Sequence, residues 1–243
     1  GLTRRGVFED HTFQARAGEI LGFFGLVGAG RSEIMRAIFG ADHYNSGSVS
    51  VNGQKLHGGD PAAAIEAGIG FCTEDRKSEG LALRLSILQN MTIVHLPKLA
   101  HGGIIDRAAQ KKAADEYVKS ISIKTPSTAQ LAGNLSGGNQ QKVVVAKWLM
   151  MSPKVLIVDE PTRGIDVGSK SEIYGLLSQL AQTGMAIIVV SSEIEEIMGI
   201  CDRVITVCEG RLTAEFPVKG LDSEKVLAAA LGKTQEGGDG HEK

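Results

Sequence analysis

Residues 25–32, GLVGAGRS, decide how this chain is read. They follow Glu19–Phe24 (EILGFF), an apolar run that reads as a buried strand, and they open the segment Ser32–Phe39 (SEIMRAIF). There Ile34 pairs with Ile38 and Met35 with Phe39 at helical spacing, and Gly40 ends the helix. Strand, glycine loop and helix form the layout of a phosphate cradle. Glycines let the backbone fold tightly, successive N–H groups point inward, and the helix dipole favours an anion. Gly25, Gly28 and Gly30 supply the turn, Leu26, Val27 and Ala29 lie between them, and Ser32 stands where a hydroxyl reaches Mg²⁺. The pattern G-x-x-x-x-G-K-[ST] asks for lysine where this chain has Arg31. Alone, the stretch also fits a tight turn between two core elements.

Working outward, Asn52-Gly53 between Gly47–Val51 and Gln54–Leu56 predicts a type I′ hairpin. Asp60-Pro61 starts a helix that Gly68 stops, and Ile69–Cys72 reads as a short strand followed by the charged loop Thr73–Lys77. From about Ser86 to Trp148 the pattern is helical, with Asp106 as a cap and Ala113, Ala114, Tyr117, Val118 and Ile121 near one face. Strands resume at Val155–Val158 and Ala186–Val190, separated by a helix carrying Ile173, Leu176, Leu177 and Leu180. A hairpin at Arg203–Val207 and Leu212–Phe216 and a helix at Ser223–Leu231 close the pattern. Alternating strands and helices imply a parallel sheet, so the fold class is α/β.

The run Val155–Glu160 (VLIVDE) puts two carboxylates at the carboxyl end of a buried strand, the edge where parallel sheets hold ligands. Asp159 suits Mg²⁺ there, and Glu160 suits orienting a water on a γ-phosphate. A solvated pair at a strand end is the plain alternative, and the cradle elsewhere in the chain weighs against it.

Composition removes several function classes. With 243 residues, 42% hydrophobic content and 31 glycines, the chain is long enough for one large or two small domains. Lys+Arg 26 against Asp+Glu 28 gives a net charge of -2, which leaves no basic field for nucleic acid. Cys72, Cys201 and Cys208 are odd in number, lack C-x-x-C spacing and sit in apolar stretches, as buried thiols of a reducing compartment do. No apolar run approaches the ~18 residues of a membrane span, and no signal-peptide pattern opens the chain. It starts at Gly1 rather than Met, with barely room for one strand before the cradle, and is read as a piece of a longer polypeptide. Lys233–Lys243 (KTQEGGDGHEK) reads as a disordered tail.

Three stretches together resemble the nucleotide-binding domains of ABC transporters. Residues 25–32 resemble the Walker A loop, Val155–Glu160 Walker B with its adjoining catalytic glutamate, and Leu135–Gln140 (LSGGNQ) the family's LSGGQ signature. Four longer pieces, GLVGAGRSE (25–33), EDRK (74–77), LSGGNQQK (135–142) and DEPTRGIDVG (159–168), resemble the second ATPase half of tandem bacterial monosaccharide importers of the ribose, galactose, xylose and arabinose type.

That resemblance implies an α/β P-loop NTPase (RecA-like) core at about 15–85 and 150–220, a small antiparallel β subdomain and a helical subdomain at about 86–148, all within residues 1–232. It implies ATP and Mg²⁺ as cofactors, Glu160 as the catalytic residue, and Ser32 and Asp159 as metal ligands. Nucleotide contacts fall on residues 25–32, on Glu74 and Ser192, and on Leu135, Ser136, Gly137, Gly138, Asn139 and Gln140 facing a partner's nucleotide. Implied partners are another ABC ATPase half, transmembrane permease subunits docking near Glu74–Asn90, and, indirectly, a periplasmic sugar-binding protein. The implied place is peripheral, at the cytoplasmic face of the bacterial inner membrane. An adenine-stacking aromatic is unassigned, with Phe8 available before the cradle.

Three departures from the family pattern surround one γ-phosphate. Arg31 replaces lysine, Glu74 falls where the Q-loop glutamine is expected, and Ser192 stands in the place of the switch histidine. The expectation is a weak site here and an intact signature loop that completes the partner's site. A non-transport ABC ATPase and a nucleotide-sensing scaffold are the alternatives.

Overall fold

In a computed structural model the described residues are 1–233, so the tail expected over 233–243 lies, apart from Lys233, outside them. The strands β1 (Leu2–Arg4) and β2 (Phe8–His11) pair antiparallel ahead of β3 (Ile20–Phe24), which is buried at every position. Helix α1 (Arg31–Phe39) ends at Gly40, whose φ of 81° is the left-handed C-cap that glycine adopts without strain. The short strands β4 (Ser50–Val51) and β5 (Gln54–Lys55) close around Asn52 and Gly53, with φ of 51° and 79°, as a type I′ turn requires. Helix α2 (Pro61–Ala67) is capped by the Asp60 carboxylate, which accepts from the N–H groups of Ala62 and Ala63.

After β6 (Ile69–Cys72) comes a π-helical turn at Arg76–Gly80, then α3 (Ile87–Thr92), which a Ser86–Gln89 capping box starts. Next are α4 (Leu96–Leu99), the hairpin β7 (Ala100–His101) and β8 (Ile104–Ile105), α5 (Arg107–Ser120) and α6 (Gly137–Leu149). The chain finishes with β9 (Val155–Asp159), α7 (Val167–Gln182), β10 (Ala186–Ser191), α8 (Ile194–Ile200), β11 (Arg203–Cys208), β12 (Arg211–Pro217) and α9 (Ser223–Ala230).

One six-stranded sheet, in the order β12-β11-β3-β10-β9-β6, carries the architecture, and only the β11–β12 pair is antiparallel. Its central strands are apolar on both faces, since helices cover both. Leu21, Phe23, Leu156, Ile157 and Val189 have no exposed surface, and burying each such side chain contributes about 1.5–3 kcal/mol. The register aligns the carboxyl ends: Ser191 lies beside Phe24, Val190 beside Asp159, and Cys72 beside Val158. The loops leaving β3, β6, β9 and β10 therefore emerge along one edge.

The structure differs from the sequence expectations at four places. Where there was expected to be barely room for one strand before the cradle, β1, β2 and β3 all precede it. The stretch expected to be helical from Ser86 to Trp148 contains the β7–β8 hairpin, turned by Gly102 and Gly103, both at positive φ. The charged segment 73–77 is only half a loop, because Asp75 caps the π-helical turn through the N–H groups of Lys77 and Ser78. Finally, Phe8 is 1% exposed and packs on His11, ring centroids 5.0 Å apart, so it offers no face to an adenine.

Candidate functional site

The glycine loop between β3 and α1 is shaped by close contacts at Gly25 and by a left-handed backbone at Gly30. A Cβ on Gly25 would lie 2.4 Å from the Val207 carbonyl oxygen, and Gly30 caps α1 at φ 96°. The loop is also pinned from outside, because the Gly210 N–H donates to the Ala29 carbonyl at 2.9 Å. It borders a cleft of about 300 Å³ lined by Val27, Gly28, Ala29, Gly30, Arg31 and Ser32. From the other loops of the same sheet edge come Glu74, Glu160, Arg163, Ser192 and Glu193. Residues distant in the sequence thus share one cleft.

Arg31 is 7% exposed, and its Nη2 donates to Glu160 Oε1 at 3.3 Å while its Nη1 is buried with no partner. Asp159, behind it on β9, is 2% exposed, and its Oδ1 is likewise buried and unpartnered. Burial pushes the Asp159 carboxyl up to about 6, with the Ser32 hydroxyl beside it acting the other way and the Glu160 charge adding to the rise. Arg31, which lines the cleft, thus keeps one nitrogen unpaired, and Asp159, directly before Glu160 on β9, keeps one oxygen unpaired. This donor set fits Mg²⁺ and a phosphate: one carboxylate and one hydroxyl leave the remaining positions of an octahedral ion to phosphate oxygens and water. Among the described residues no group of three or more His, Cys, Asp or Glu side chains is clustered to hold a metal by itself.

Glu160 is held hard. Its φ of 45° is left-handed, a costly conformation for a side-chain-bearing residue. Its N–H donates to the Val190 carbonyl at 2.8 Å, and its Oε1 also accepts the Ser192 N–H at 2.9 Å. Ser192 meets the cleft through its backbone as well as its position, a role that a motif cannot display. Glu74, expected to add negative charge near phosphates, pairs with the Arg163 guanidinium 89 residues away, which balances that charge. Behind the same loop the buried Thr162 hydroxyl donates to Glu196 at 2.9 Å, and burial pushes the Glu196 carboxyl up. Neither Arg163 nor Glu196 stood out in the sequence. Arg163 lies within DEPTRGIDVG (159–168), and the signal for Glu196 is a charge on the inward side of a short helix.

Leu135, Ser136, Gly137, Gly138, Asn139 and Gln140 do not line this cleft. Ser136 is exposed at the start of α6, and its Oγ accepts from Asn139 Nδ2 at 2.9 Å rather than capping the helix. Asn139 Oδ1 in turn accepts the Lys124 N–H at 2.8 Å, so the carboxamide fixes the serine hydroxyl to the preceding loop. Gly138 is buried, and a Cβ there would lie 2.5 Å from Ser169. The start of α6 thus leaves the Ser136 hydroxyl exposed, apart from the cleft that the glycine loop borders.

A family model described as ABC transporter matches residues 8–163. The chain is 47% identical over 232 residues to a ribose import ATP-binding protein of Streptomyces avermitilis, covering 96% of this chain and 46% of that protein. It is 47% identical over 228 residues to the ribose import ATP-binding protein of Bacillus subtilis, covering 94% and 46%. The chain spans about half the length of the curated relatives it matches. A cassette solved as a dimer in a post-hydrolysis state with ADP and Pi superposes with TM-score 0.76 over 90% of this chain and 96% of that one, at 23% identity. A nucleotide-free ATP-binding cassette from an ABC transporter gives 0.81 over 95% and 96%, at 18% identity. These likenesses show the P-loop NTPase cassette fold. With the family model matching more than half of its length, the chain belongs to the ABC transporter family, as one of its ATP-binding domains.

Proposed function

We propose that this chain is the second ATPase half of a tandem bacterial monosaccharide importer, binding Mg²⁺ and ATP in the cleft between residues 25–32, Glu74, Glu160 and Ser192. The observation that carries the nucleotide reading is the unpartnered Nη1 of Arg31, which lines the cleft, together with the unpartnered Oδ1 of Asp159, whose carboxyl is met by the Ser32 hydroxyl. Buried polar atoms without partners are rare, and a phosphate with its cation satisfies both at once. Ser32 and Asp159 would hold Mg²⁺, which would supply charge neutralisation to a bound phosphate. The loop N–H groups around Gly28–Ser32 would bind the phosphates, except that of Ala29, which donates to the Leu26 carbonyl at 3.0 Å, and Arg31 would supply charge at the γ-position. Glu160 orients water.

Hydrolysis in this cleft is slow. Arg31 spends one nitrogen on Glu160, the group that a water must reach, and no side chain at position 192 is long enough to meet a γ-phosphate. Losing one donor to developing charge typically costs about 10²–10³ in rate. The loop Leu135–Gln140, with Ser136 exposed, instead completes the partner half's site, where hydrolysis is fast. Sugar import as the coupled process rests on the relatives named as ribose importers. Permease subunits docking near Glu74–Asn90 and a periplasmic binding protein complete the assembly, with the chain peripheral to the cytoplasmic face of the inner membrane. Among the described residues no helix is long and apolar enough to cross a membrane. The Arg31–Glu160 contact also favours a second reading, a module that senses nucleotide without any catalytic partner.

Steady-state ATPase of the complete polypeptide decides between them. Ser136→Ala is expected to remove most turnover and Glu160→Gln little of it. The reverse result rejects the division of labour, and no turnover in the wild type favours the sensing module.

A further inference from the structure

Arg76 is a buried cation whose partners are carbonyls rather than carboxylates. It is 7% exposed, and its Nη1 donates to the Arg163 carbonyl at 2.6 Å and its Nη2 to the Gly164 carbonyl at 2.9 Å. The adjacent carboxylate, Asp75, accepts the N–H groups of Lys77 and Ser78 instead. Arg76 also lies against the start of α6: a Cβ on Gly137 would be 2.8 Å from Arg76 Nη2 and 3.1 Å from the Gly164 carbonyl oxygen. Three segments therefore meet on one guanidinium. They are the turn two residues after Glu74, the loop three and four residues after Glu160, and the residue immediately after Ser136.

The other end of that turn is fastened to the same helix. Lys147, buried on α6, donates to the Gly80 carbonyl at 2.8 Å, and a Cβ on Gly80 would lie 3.2 Å from Val144. Positions 137 and 147 are about 15 Å apart along a helix, so the turn spans α6 like a splint and does not touch it at only one point. Glu74 and Glu160, which border the cleft, lie just outside the splint on its two loops. A planar fork holding two successive carbonyls fixes both position and tilt of a loop, which a single ammonium cannot do.

We propose that Arg76 is a positioning residue, setting the Ser136–Gly138 loop against the loop that follows Glu160, so that the state of this cleft reaches the loop that meets a second nucleotide. The inference rests on the reading that residues 135–140 serve a partner's site. A residue that acted only as a staple would alter stability and leave turnover alone.

The test uses the complete polypeptide with Arg76→Gln, Arg76→Lys, Ser136→Ala and the Arg76→Gln/Ser136→Ala double variant. ATPase kinetics, melting temperature and binding of trinitrophenyl-ATP with Mg²⁺ are measured on each. Since misplacement by about 1 Å costs on the order of 10²-fold, Arg76→Gln is expected to lower kcat about 10- to 100-fold with KM within about twofold. Arg76→Lys regains the melting temperature but not kcat, and the double variant is no slower than Ser136→Ala alone. Additive losses in the double variant, or a kcat restored by lysine, overturn the proposal. Loss in Ser136→Ala with no loss in Arg76→Gln overturns it and spares the partner-site reading, whereas an unaffected Ser136→Ala overturns both. If Arg76→Gln does not fold, the lysine variant alone decides, through kcat at an unchanged melting temperature.

Discussion

Replacing Asp159 by Asn is expected to stabilise the nucleotide-free domain, and increasingly so as pH rises. The carboxyl is raised from 3.8 to about 6 in the fold, chiefly by burial, so its ionised form is disfavoured there relative to the unfolded chain. With a folded value above the unfolded one, stability is highest below 3.8 and is lost as pH rises through about 6. The difference of roughly two pKa units corresponds to about 3 kcal/mol at pH 8, of which about 1.6 kcal/mol is already lost at pH 5. Asparagine has the same shape and no charge, so the gap between variant and wild type should widen by about 1.4 kcal/mol between these pH values. For a domain of this size that is about 3–6 °C in Tm. Differential scanning fluorimetry in EDTA at pH 5, 6.5 and 8 reads it directly. Adding Mg²⁺ and ATP should reverse the order, because a cation removes the penalty in the wild type and an amide is a poorer ligand. A gap that stays constant with pH, or an Asn variant that melts lower at pH 8, refutes the idea that Asp159 is a desolvated carboxylate lacking its cation.

Other outcomes follow from single contacts. Gly25→Ala should cost about 1–3 kcal/mol in urea unfolding and abolish nucleotide binding, since the added methyl meets a backbone carbonyl that cannot move aside. Arg203→Gln breaks the ion pairs to Glu19 at 2.6 Å and Glu215 at 2.7 Å, leaving the largely buried Glu19 uncompensated; about 1–3 kcal/mol should be lost in urea melts with nucleotide affinity unchanged. Thiol labelling of the native domain at pH 8 should modify Cys208 first, because Cys72 and Cys201 are buried and burial pushes the Cys72 thiol up to about 12. Rapid labelling of Cys72 before unfolding counts against that packing.

Much of the frame was legible because its signals are local. Continuous apolar runs such as Glu19–Phe24 and Ala186–Val190 mark strands covered on both faces, and Gly40, Gly68, Asp60 and Asp106 stop or cap helices through their own backbone chemistry. The site was legible wherever chemistry sits in a contiguous motif, as at 25–32 and 159–160. What escaped was relational. Two-residue strands such as β7 and β8 are too short for a period to show, and Phe8 counts as an available aromatic until packing buries it. The Glu74–Arg163 pair and the three-way meeting on Arg76 join residues nearly ninety positions apart, and nothing along one dimension says which charges will meet.

The aligned strand ends have a consequence for how such a domain can change over time. Each loop on that edge is rooted in a strand whose stability comes from its neighbours in the sheet and owes little to the loop itself. Exposed loop side chains such as those at 74 and 192, unlike Gly25, can therefore be exchanged one at a time, with the scaffold bearing little of the cost. A duplicated copy is free to retire one chemical step while keeping its grip on the same ligand, so that a former catalyst turns into a ligand-dependent clamp without passing through an unfolded ancestor.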